Sequence, residues 1–159
     1  MKKKHLWILI VGLYVLFIYS NSMKVADTSS KDSGRVLYLI HDMLNKFEIN
    51  AYWLTEHFIR KMGHFSEYSL LGLLLYFCMK SQGFQEEKRW FFHIAAGFLI
   101  PFMDETIQLF VEGRSGQISD VWLDCAGVTF GTLIMVGVFL LCKRMEILKV
   151  EKLSNRTGI

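Results

Sequence analysis

Lys61, His64, Glu67 and Tyr68 fall at i, i+3, i+6 and i+7 at the head of an otherwise apolar stretch. On a helix they share an arc of about 120°, so all four can face one partner. Asp104, Glu105 and Gln108 close a second apolar stretch, and Asp120 and Asp124 open a third. Asp104 and Gln108 lie one turn apart on a common face, while Glu105 points about 100° away. Asp120 and Asp124 repeat that one-turn spacing, and Gly127 and Gly131 continue their face as a small-xxx-small contact that would aim both carboxylates into a bundle. Arg114 sits between the two acidic groups, a planar fork suited to carboxylate, phosphate or pyrophosphate.

These residue types suit acid–base or charge-binding chemistry. His64 or Glu67 would serve as general base or acid, with Asp104 and Glu105 orienting it or holding a cation. Lys61, Gln108, Arg114, Asp120 and Asp124 would line the substrate side. Lys61 and Arg114 supply two positive charges against five carboxylates, Glu67, Asp104, Glu105, Asp120 and Asp124. In a low-dielectric layer that surplus must be relieved by carboxylate protonation, a protonated His64 or a bound cation. A divalent cation at the carboxylate cluster is therefore open, but His64 has no second histidine at metal-ligand spacing, so no metal or cofactor is named. The competing structural reading makes the same residues interhelical pairs, Lys61 with Glu67 or Arg114 with Asp120.

Within a spanning helix one charged residue costs roughly 2.5 to 3.5 kcal/mol, so these ionisable groups should face the bundle interior or water and mark function. The chain is 52% apolar with a single proline, which fits one all-helical membrane domain. Four spans are expected, at about residues 6–23, 62–79, 90–110 and 121–142, each near the ~20 residues that cross the hydrocarbon. Residues 1–142 then form a polytopic four-helix bundle, and residues 143–159 a tail that frays after Val150. Pro101 would bend the third span and free a carbonyl toward the polar site.

Lys2–Lys4, the loop with Lys80, Lys88 and Arg89, and the tail with Lys143, Arg144 and Lys149 all fall on one side, which becomes cytoplasmic with both termini. Ser20 and Ser22 do not make a clean small-x-small cleavage site, so the first apolar run reads as an uncleaved anchor. In the first outer loop Val36, Leu37, Ile40, Met43, Leu44 and Phe47 mark one face of an amphipathic helix on the outer interface, followed by the belt residues Tyr52, Trp53 and Phe58. That segment is either a connector resting on headgroups or a lid over the site.

The net charge of +3 is small and scattered, and no nucleic-acid motif is present, so nucleic acid is set aside as a partner in favour of membrane lipids. Cys78, Cys125 and Cys142 are odd in number and lie in apolar segments, as small buried hydrophobes rather than a disulfide or thiolate-metal framework.

The ordered set Ser20, Asn21, Ser22; Lys61, Gly63, His64, Phe65, Glu67, Tyr68, Leu71, Gly72; Asp104, Glu105, Gln108, Phe110, Gly113, Arg114; Asp120, Asp124, Gly127, Gly131 resembles the VanZ-like family of bacterial membrane proteins. The resemblance implies a small multi-pass protein of the bacterial cytoplasmic membrane, and a link to reduced susceptibility to teicoplanin-type glycopeptide antibiotics. It supplies no molecular activity. Where the family pattern places asparagine before the final glycine, this chain has Asp124, which changes the charge of the site.

Three functions follow as expectations. The first is an envelope protein whose outward-facing polar site recognises or modifies a lipid-linked or cell-surface substrate, lowering glycopeptide or lipoglycopeptide susceptibility; whether it turns over is undecided. The second is a non-catalytic protein that binds or shields lipid or antibiotic. The third, proton or ion transport, needs polar residues in the inner halves of the later spans, where none stood out.

Overall fold

The computed structural model describes residues 2–157, with side chains over residues 3–149. Five helices account for the fold: α1 (Lys2–Ser22), α2 (Ala26–Asn45), α3 (Glu56–Ser81), α4 (Glu86–Gln108) and α5 (Ile118–Thr157). No strand occurs among the described residues. The all-helical expectation holds. Helices α1, α3, α4 and α5 correspond to the four expected spans and α2 to the amphipathic helix. Two of them, over Lys3–Ser22 and Ile118–Lys149, are long and apolar enough to cross a membrane. Helices α3 and α4 have the length, 26 and 23 residues, but carry the polar residues that lower their apolarity.

The contacts give an up-down-up-down order. Trp7 of α1 stacks on Phe77 of α3 at one end, while Asn21 of α1 reaches Glu67 of α3 near the other, so α1 and α3 are antiparallel. His93 meets Thr132, and Cys125 Sγ donates to the Gly97 carbonyl, so α4 and α5 are antiparallel as well. Lys4 Nζ donates to the Gln82 carbonyl at 2.7 Å, tying the basic N-terminus to the α3–α4 turn. The basic clusters therefore share one end and the polar stripes the other.

α3 is the central helix. Its Tyr68, Leu71 and Leu75 form the buried core with Ile18 of α1 and Val128 of α5. The α3–α5 contact is backbone-close: a Cβ on Gly131 would run into the Ser69 carbonyl, and one on Gly72 into the Val128 carbonyl. Only glycine fits there, as expected where helices meet through small residues. The outward faces stay apolar, with Leu9, Leu13 and Leu16 on α1, Ile94, Phe98 and Phe102 on α4, and Ile134 and Leu140 on α5 exposed. Such a surface suits lipid contact rather than water.

Several expectations are corrected. The span expected over residues 121–142 lies within a longer helix: α5 continues to Thr157 as a 40-residue helix, about 60 Å long, so the tail after Val150 is helical rather than frayed. Past Gly137 no glycine or proline interrupts it, and Lys, Arg, Met, Glu and Leu all favour helix. α2 starts at Ala26, ten residues before its apolar face begins, with Lys31 paired to Asp27 one turn back at 2.6 Å. Of the apolar face of α2, Leu37, Ile40 and Leu44 are half-buried, whereas Val36, Met43 and Phe47 are exposed. Cys78 is buried, but Cys142 is exposed on the distal part of α5. Pro101 leaves the Gly97 carbonyl without its helical donor, yet that carbonyl faces Cys125 at 3.7 Å rather than the polar layer.

Candidate functional site

The C-terminal ends of α1 and α4 and the N-terminal ends of α3 and α5 gather at one end of the bundle, and the polar residues of all four meet there. Lys61 Nζ contacts Asp120 Oδ1 at 2.8 Å, closing α3 onto α5. Asn21 Nδ2 donates to Glu67 Oε1 at 2.7 Å, closing α1 onto α3. Gln108 Nε2 donates to Glu105 Oε1 at 2.9 Å and to Asp104 Oδ2 at 3.4 Å. Gln108 Oε1 in turn accepts from Arg114 Nη1 at 3.0 Å. The interhelical pairs thus differ from those expected: Lys61 chooses Asp120 over Glu67, and Arg114 chooses Gln108 over Asp120.

Arg114 follows Gly113, whose φ of +74° is a left-handed conformation that favours glycine. The turn sends the guanidinium back to the end of α1, where Nε donates to the Lys24 carbonyl at 3.2 Å. Burial, and after it the neighbouring Arg60, lower the Arg114 pKa, while Asp104 and Glu105 oppose that shift. A guanidinium remains charged under such pressure.

Glu105, expected to share in catalysis, is bound on both oxygens: besides Gln108, its Oε2 accepts the Gln117 backbone N–H at 3.0 Å. That bond anchors the loop into α5, so Glu105 holds structure. Glu105→Ala should orphan the Gln117 N–H and cost about 1 to 3 kcal/mol, read as a lower thermal unfolding midpoint in detergent. Glu105→Gln, which keeps an acceptor, should stay close to wild type in stability and function; loss of function with stability intact would return Glu105 to the reacting groups.

Beneath these satisfied pairs lies a set that is not satisfied. Asp104, Asp124 and Tyr68 are each 0% exposed. His64 Nδ1 lies 3.8 Å from Asp124 Oδ1, too far for a hydrogen bond. His64 Nδ1, Tyr68 Oη, Asp104 Oδ1 and both oxygens of Asp124 have no hydrogen-bond partner. One ligand atom each from His64, Asp104 and Asp124 can be chosen so that all lie within 4.8 Å of one another, an arrangement able to hold a metal ion. The structure thus brings His64, Asp104 and Asp124 together, and sets Lys61, Asp120, Glu67, Gln108, Glu105 and Arg114 around them.

A cavity of about 430 Å³ opens beside this cluster between α2 and α3. Lys24, Arg60 and Arg114 line it with His64 and Glu67, and Val36, Ile40, Ile59 and Met62 supply an apolar side. Lys24 and Arg60 were not among the candidate residues read from the sequence, whereas Tyr68 was placed on the polar arc and Asn21 in the ordered family set without a site role for either. Lys24 and Arg60 are set at the cavity by the path of α2, which one sequence does not reveal.

A second polar pair lies in the half of the bundle away from the polar layer, where the sequence reading found none. His93 and Thr132 are buried and 2.8 Å apart. The Thr132 hydroxyl also lies 2.8 Å from the Val128 carbonyl, and the imidazole tautomer sets which of His93 Nε2 and Thr132 Oγ1 donates to the other.

Comparison with curated proteins and with solved structures gives no match. The model of the VanZ/LLP1 family matches residues 6–141, which takes in every helix of the bundle and every residue of the polar layer. The chain belongs to the VanZ/LLP1 family.

Proposed function

We propose that this protein is a four-span envelope membrane protein with both termini cytoplasmic. Its outward-facing cavity takes the anionic headgroup of a lipid-linked or cell-surface substrate, and its action lowers susceptibility to teicoplanin-type glycopeptides or lipoglycopeptides. The observation that carries this reading is the cavity's two-sided wall: the cations Arg60 and Arg114, with Lys24 paired to Asp32 at 3.3 Å, face an apolar strip of Val36, Ile40, Ile59 and Met62. A phosphate-bearing amphiphile offers the matching pair of chemistries, charge for the guanidinium forks and hydrocarbon for the strip. The antiparallel order and the basic residues collected at the opposite end support the orientation.

Binding or shielding without turnover is the second reading, favoured by the exposed Val36, Met43 and Phe47 of α2. The two rank a pair of variants differently. In a deletion strain complemented from a plasmid, with membrane insertion checked, Arg114→Ala should forfeit protection while Met43→Ser retains most of it. The reverse ranking would support shielding by α2 and overturn recognition in the cavity. Transport requires a polar path through the bundle, and His93 stands eleven residues from Asp104 on α4, about 16 Å along the axis. That gap is too long for a direct relay.

A further inference from the structure

We propose that His64, Asp104 and Asp124 bind one divalent transition-metal ion, Zn²⁺ or Mn²⁺, at the side of the outer cavity. The proposal concerns the ion alone and does not depend on the substrate reading above.

Three helices contribute one ligand each, and the ligand atoms already lie within 4.8 Å of one another. Around an ion held by bonds of about 2.0 to 2.2 Å, ligand atoms stand about 3 to 4 Å apart, so small side-chain rotations close the shell. The second observation is independent of proximity. His64 Nδ1, Asp104 Oδ1 and both Asp124 oxygens lack any hydrogen-bond partner, although both aspartates are fully buried. Native interiors rarely leave such atoms unmatched without an ion or water.

Charge points the same way. Two cations of the layer are engaged elsewhere, Lys61 with Asp120 and Arg114 with Gln108 and the backbone of Lys24. Asp104 and Asp124 are therefore two buried carboxyl groups with no contacting Lys or Arg among the described residues, and one dication would neutralise the charge that their ionisation on binding creates. An imidazole with two carboxylates suits Zn²⁺ or Mn²⁺, whereas Ca²⁺ requires six to eight oxygens. Tyr68, fully buried with an unpartnered hydroxyl beside both aspartates, can donate to a carboxylate oxygen and orient it. His64 also lines the cavity, so the site lies against the cavity wall.

The test uses the full chain purified in detergent without chelator. Elemental analysis should find close to one Zn²⁺ or Mn²⁺ per chain, and returning that metal to stripped protein should raise its thermal midpoint. Asp124→Asn and His64→Gln should each weaken binding at least tenfold, whereas Asp120→Asn, a carboxylate of the same layer outside the triad, should keep it. Wild type with no stoichiometric ion and no thermal response to either metal would overturn the proposal and leave water among these groups. Equal loss in Asp120→Asn would overturn it as well, by showing a diffuse acidic attraction. The wild-type titration decides even where a variant fails to fold.

Discussion

Asp124→Asn, measured in the presence of chelator, is expected to unfold at a higher temperature than wild type and yet to lose the glycopeptide protection proposed above. Stripped of any ion, wild-type Asp124 keeps both carboxylate oxygens buried and unpartnered beside Asp104, another fully buried carboxylate. Leaving a buried polar group unmatched costs about 1 to 3 kcal/mol, and more when it is charged. Asparagine keeps the shape, cannot ionise and brings an amide donor toward the unpartnered oxygen of Asp104, so the bundle should gain on the order of 1 to 3 kcal/mol. Stability and activity moving in opposite directions would mark the cluster as a functional site, held at a cost to the fold. A cluster serving only as structural glue predicts the reverse: Asp124→Asn would lower the midpoint and spare function.

Gly131→Leu should have the largest effect on the fold itself. The α3–α5 contact brings position 131 so close to the Ser69 carbonyl that even a Cβ has no room, and the obstacle is backbone, which cannot swing aside. Overpacking a core typically costs about 1 to 3 kcal/mol, and a clash with backbone belongs at or above the top of that range. For a protein with a stability of roughly 5 to 15 kcal/mol, this should lower the yield of folded, monodisperse protein in detergent. Gly137→Leu supplies the contrast, since a Cβ there meets nothing within 4 Å. Equal yields from the two variants would show that the close α3–α5 contact does not hold the bundle together.

Helical period made much of this site legible. The arc from Lys61 to Tyr68 and the one-turn spacing of Asp120 and Asp124 placed their residues at one depth, and the structure has His64, Asp104 and Asp124 side by side. Spacing along a helix does not report its rotation or height against a neighbour. Those are set by backbone contacts at Gly72, Gly127 and Gly131, and they decide that Lys61 meets Asp120 and that Asn21 meets Glu67. The tie from Glu105 to the α4–α5 loop was not legible for a related reason. Its partner is the Gln117 backbone N–H, and such a donor leaves no mark in side-chain patterns. Hydropathy ended α5 where the apolar run stops, but a helix ends at a cap or breaker, and α5 has neither after Gly137. His93 passed unnoticed because a lone histidine in an apolar run declares no partner until Thr132 is seen across from it.

The central claim is that protection resides in the polar layer at the outer end of the bundle. Teicoplanin susceptibility should be measured in a deletion strain complemented with wild type, His64→Ala, Asp104→Ala and Arg114→Ala, each verified as inserted at equal level. The account predicts that wild type restores protection and none of the three variants does. Full restoration by all three would contradict it and place the function outside the cavity and its buried carboxylates.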